Sequence, residues 1–116
     1  MENVSDEEFD AALEEALGIL PVGIADHLDN IALFVDDDPP ADMPGLLGLY
    51  EGTPLTERGA GWEFQLPDAV FLYKSSLIAY ARDLEELRDE IAITIVHEIA
   101  HHHGIDDEKL HEWGWG

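Results

Sequence analysis

The sequence predicts an α+β fold, and three observations carry the prediction. Helical periodicity opens the chain, short β-prone apolar runs occupy its middle, and a long helical stretch lies near its C-terminus. Helices placed before and after a group of strands, without strict alternation, are the pattern of a mixed domain rather than of a parallel doubly wound sheet. The long helical stretch is apolar nearly all round from Ile91 to Ala100, as expected of a helix embedded in a core.

The first helix is predicted over residues 5 to 18. Ser5 with Glu8 three residues on forms a capping box, Phe9, Leu13, Leu17 and Leu20 recur at helical spacing, and Gly18 and Pro21 end the run. A short helical turn follows from Pro21 to Leu28, since proline suits a first helical position. His27 lies there and reads as a packing or surface residue. Ile31 to Val35 is a continuous apolar run, which suggests a strand covered on both faces. Asp36, Asp37, Asp38 and two prolines stop it, and the alternating ligand pattern of a calcium loop is missing from this run.

Leu46 to Glu51, between Gly45 and Gly52, reads as a second strand at a sheet edge. A loop is expected over residues 53–61, and Trp62, Phe64 and Leu66 alternate as a brief extended segment before the Pro67-Asp68 turn. Ala69 to Tyr73 has high strand propensity. Ser75 or Ser76 can cap a short helix through Ala81. Asp83 with Glu86 then opens the long helix, with Leu84, Leu87, Ile91 and Ile95 as its core stripe. After Gly104 a last helical turn runs from about Asp106 to Trp113.

At 116 residues the chain fits a single domain, 1–116, burying about 65% of its unfolded surface. Its 27 acidic and 5 basic side chains give a formal charge of −22, which argues against nucleic acid or an anionic membrane as partner and would attract a basic peptide or protein. The same charge could serve solubility alone. The absence of cysteine removes disulfides and thiolate metal sites. No stretch reaches the roughly 20 apolar residues of a membrane span, and the N-terminus lacks a signal-peptide pattern. A cytoplasmic protein is expected; nothing in the pattern sets an oligomeric state.

The chemistry is concentrated in His97-Glu98-Ile99-Ala100-His101-His102-His103-Gly104-Ile105-Asp106-Asp107. On a helix, H-E-x-x-H puts His97 and His101 one turn apart on one face, within reach of one metal ion. Glu98 lies about 100° around, beside the metal position without occupying it. Six His and fourteen Glu make a chance five-residue match a matter of roughly 4%. Gly104 and Asp107 extend it to H-E-x-x-H-x-x-G-x-x-D and bring the chance below about 0.1%. A carboxylate and two imidazoles in an apolar helix also need a compensating partner, which a cation supplies.

Gly104 can take the left-handed conformation that reverses the chain. Asp107 is then placed to be the third ligand, with a fourth position left for water. Asp106, Glu108 and His111 are nearby competitors, but the spacing favours Asp107. His102 and His103 point away from the two ligand positions.

These residues resemble the small bacterial zincin-like metallopeptidases, the minimal zincins, which are related in motif to the metzincins. The resemblance extends to residues 48–58, to Leu66-Pro67-Asp68 and to Gly114-Trp115. It implies a small three-stranded mixed sheet, with Leu46 to Glu51 as its antiparallel edge strand over the long motif helix. It also implies a Zn²⁺ peptidase site in which Glu98 is the general base and a peptide pairs with the strand edge. No methionine follows the motif, so the metzincin Met-turn is absent and Trp113 or Trp115 is placed to fill that space. Tyr50, Tyr73 and Tyr80 are the candidate oxyanion donors. The alternative from another class is a non-catalytic acidic interaction domain with a structural zinc closed by four protein ligands, such as His111 or Glu108 added to the set.

Overall fold

The computed structural model describes residues 3–26, 28, 31–52, 68–105, 107–112 and 115. His27, the loop and extended segment expected over 53–67, Asp106, Trp113 and Gly114 lie outside them.

Helix α1, Asp6–Gly18, is capped as its sequence demands, with the Glu8 amide donating to Ser5 Oγ at 3.0 Å and the Ser5 amide donating to Glu8 Oε1 at 3.1 Å. Its buried face is Phe9, Ala12 and Ala16, whereas Leu17 is exposed. The core stripe is therefore rotated from the one the leucines suggest: the alanines permit close approach to another helix, and Leu13 and Leu20 flank the contact. Helix α2, Val22–Ala25, is a single turn that buries Ile24.

The sheet is three-stranded in the order β1-β3-β2, from β1, Ile31–Asp36, β2, Gly48–Glu51, and β3, Asp68–Tyr73. β1 runs parallel to β3 and β2 antiparallel to it, with Gly48 opposite Leu72 and Glu51 opposite Ala69. The mixed sheet and its antiparallel edge strand match expectation. β1 does not: among the described residues it is itself an edge, its second half is open, and Phe34 and Val35 are 48% and 38% exposed. The strand buried deepest is the central one, β3, through Val70, Leu72 and Tyr73. Phe34 instead stacks on Phe71 across the pair, with ring centroids 5.3 Å apart.

β3 passes directly into helix α3, Lys74–Tyr80, with no intervening loop. The expected Ser75 or Ser76 cap is not made, because the Ser75 amide donates to the Asp37 carbonyl at 2.9 Å, a backbone group doing the capping. Lys74 pairs with Asp6 and lies over the Phe9 ring, tying α3 to α1.

Helix α4, Leu84–His102, packs against α1, α2, α3, β2 and β3 and is the hub of the core. Asp83 accepts from the Glu86 amide at 2.8 Å, while the Glu86 carboxylate pairs with Arg82 instead of closing the box. Leu87, Ile91, Ala92, Ile95, Val96, Ile99 and Ala100 are all fully buried. Helix α5, Asp107–Glu112, buries Leu110. No helix among the described residues is long and apolar enough to cross a membrane.

Candidate metal centre

His97 and His101 leave α4 one turn apart, their ring centroids separated by 5.9 Å and their planes inclined at 66°. His97 is half-buried and His101 exposed. His97 Nε2 donates to the Trp115 carbonyl oxygen at 3.2 Å, which places the proton on Nε2 and leaves the lone pair on Nδ1. A cation taken on Nδ1 keeps this bond, and one taken on Nε2 replaces it. The Trp115 amide in turn donates to the Leu110 carbonyl at 2.8 Å, so α5 fixes the backbone that meets His97. Trp115 packs on the core here.

Glu98 is half-buried, and burial pushes its carboxyl above the usual range; the His101 and His97 rings pull it part of the way back. Among the described residues it has neither a hydrogen-bond nor an ion-pair partner. In its ionised form a carboxyl so placed is favoured by a cation beside it.

The helix stops after His102 in the manner Gly104 predicts. Gly104 has φ +73°, the Ile105 amide donates to the Ala100 carbonyl at 2.8 Å and the Gly104 amide to that of His101 at 3.4 Å, a Schellman closure. Asp107 opens α5 only three residues later; its carboxylate lies outside the described residues. Among the described residues no group of three His, Cys, Asp or Glu is placed to hold a metal ion. The donor chemistry present, two imidazoles at one-turn spacing beside a half-buried carboxyl with no thiolate in the chain, fits a zinc ion.

A cleft of about 340 Å³ runs between residues 45–48 and the α4 face that carries Glu90, Ile93, Thr94, His97 and Glu98. Gly48 sets its depth. A Cβ there would fall 2.6 Å from Thr94 Cγ2 and 3.0 Å from the Phe71 carbonyl oxygen, so only glycine lets β2 lie this close to α4. Thr94 is held in place by donating from Oγ1 to the Glu90 carbonyl at 2.8 Å. β2 pairs only with β3 among the described residues.

His102 and His103 are exposed, as their positions suggest, but they engage β2. The His102 ring stacks on Tyr50 at 3.9 Å and 16°, and the Tyr50 hydroxyl donates to Asp68 Oδ2 at 2.7 Å while lying 3.3 Å from His103 Nε2. This cluster locks the end of the motif helix to the edge strand. No local pattern signals it, since Tyr50 and the histidines are more than fifty residues apart in the chain. Of the other two tyrosines, Tyr80 is 60% exposed and lines a separate groove with Pro39, Pro40 and Pro44, whereas Tyr73 is 4% exposed. The Tyr73 hydroxyl is pushed above its ordinary pKa by burial and by the carboxylates of Asp36, Glu51 and Glu98. Glu108 and His111 are exposed on α5.

A family profile described as zincin-like metallopeptidase matches residues 28–115. Among solved structures, the chain is similar to a conserved hypothetical protein from Thermo thermophilus, with 25% identity and a TM-score of 0.58, covering 86% of this chain and 94% of that one. No curated protein matches it significantly.

Proposed function

This chain belongs to the zincin-like metallopeptidase family, and on that premise we propose that it is a zinc-dependent peptidase with Glu98 as general base and His97, His101 and Asp107 as metal ligands. The observation that supports this most is Glu98 itself, a half-buried carboxyl with no described partner, beside the paired imidazoles and lining a cleft under a strand edge.

The residues divide the work between binding the ion, moving a proton and aligning the peptide. His97, oriented by the Trp115 carbonyl, and His101 would hold the ion together with Asp107. Zinc, when bound, supplies Lewis acidity, lowering the pKa of water and polarising a carbonyl. The Glu98 carboxylate accepts the proton of the attacking water and returns it to the leaving amine nitrogen. The edge of β2 offers backbone groups to an extended peptide, which sets the scissile bond across the His97–Glu98 turn.

The test is peptide cleavage with and without chelator. Activity should vanish on chelation, return with zinc, and be lost in Glu98→Gln; undiminished cleavage by Glu98→Gln would refute the role given to that carboxylate.

A further inference from the structure

Resting on the peptidase reading, we propose that Glu90 is the residue that selects substrate, by receiving a lysine or arginine side chain of the bound peptide. Glu90 lines the same cleft as His97 and Glu98. It stands seven residues before His97, two helical turns upstream on one face and about 10.5 Å along the axis. An extended peptide advances roughly 3.3 Å per residue, so Glu90 meets a side chain about three residues from the bond that is cut.

The chain has made no lysine or arginine available to this carboxylate among the described residues. Of its five basic side chains, Lys74 pairs with Asp6, Arg82 with Glu86, Arg88 with Glu85 and Asp89, and Lys109 with Glu112. The fifth, Arg58, lies outside them. Glu90 is half-buried and its backbone is anchored by the Thr94 hydroxyl. Its carboxyl is pushed upward by burial and then by Glu86 and Asp89, against the opposing pull of His97. A bound cation opposes the repulsion from Glu86 and Asp89, which a neutral side chain leaves in place. A lysine ammonium or arginine guanidinium therefore gains a charge-assisted hydrogen bond in a partly dry cleft, and an acidic side chain is repelled. The chain-wide negative field brings basic peptides to the surface; Glu90 fixes where along the peptide the charge must lie.

The experiment uses the zinc-loaded chain carrying Glu98→Gln, so that peptide is held without turnover. Fluorescence anisotropy compares short labelled Ala-Thr peptides bearing one lysine at successive positions with their glutamine counterparts. At one position lysine should strengthen binding about tenfold. The added substitution Glu90→Gln should abolish that preference, while Glu14→Gln, which removes one charge from the exposed face of α1, should leave it intact. A lysine preference that survives Glu90→Gln, or falls equally with Glu14→Gln, or is absent at every position, overturns the proposal. Cleavage by the chain with Glu98 intact separates the two readings. Cleavage without a Glu90-dependent preference sinks only the subsite, and Glu90-dependent binding without cleavage sinks only the peptidase.

Discussion

Replacing Gly48 with alanine tests the contact that forms the cleft. The new methyl would sit 2.6 Å from Thr94 Cγ2 and 3.0 Å from the Phe71 carbonyl oxygen. The second neighbour is backbone of the central strand and cannot yield alone. Thr94, stiff at χ1, can turn away only by giving up its 2.8 Å bond to the Glu90 carbonyl. Overpacking of this kind costs about 1–3 kcal/mol, and the hydrogen bond is worth about 1 kcal/mol more. The smaller conformational freedom of alanine in the unfolded chain offsets about 0.4–1 kcal/mol. A net loss of about 1–3.5 kcal/mol follows, which at roughly 4 °C per kcal/mol for a domain of this size lowers Tm by about 4–14 °C. Urea and thermal unfolding followed by circular dichroism measure it. Adding Thr94→Ser, which deletes Cγ2 and keeps the hydroxyl, should recover about half. Unchanged stability in Gly48→Ala, or additive losses in the double variant, would refute the packing argument.

Two further outcomes are expected from the same assays. Gly104→Ala should cost about 1–2 kcal/mol, because φ +73° is a left-handed conformation, and Gly104→Asn should cost less. Glu90→Gln should stabilise the fold at neutral pH. The folded-state pKa of Glu90 is raised, so the ionised form is the one folding disfavours; the gain from Gln is present above the folded pKa and vanishes below the unfolded value of about 4.3. Unfolding midpoints measured at pH 3.5 and pH 7 check the sign.

What the sequence showed of this fold was whatever depends on neighbours in the chain. Ser5 with Glu8, Asp83 with the Glu86 amide, and Gly104 with Ile105 are local closures, and each forms as its residues require. The edge position of β2 was legible from its glycines, and the spacing of His97, Glu98 and His101 was enough to place them around one helical turn. What escaped depends on contacts made across the fold. An apolar run such as Ile31–Val35 does not say how many faces are covered, and among the described residues β1 is an open edge. The serine cap of α3 was superseded by the Asp37 carbonyl, which only the parallel pairing of β1 and β3 brings within reach. The Tyr50–His102 stack and the Trp115 carbonyl on His97 likewise join residues with no short-range relation. Glu90 takes its place from the cleft, which sets it in line with His97.

Zinc content per folded chain, measured by elemental analysis after gel filtration, tests the central claim most directly. The account predicts about one zinc in the native chain and in Glu98→Gln, and a large loss in His101→Ala and in Asp107→Ala, with Asp106→Ala, Glu108→Ala and His111→Ala unaffected. Full zinc retention without Asp107, or loss of zinc on removing His111, would contradict it.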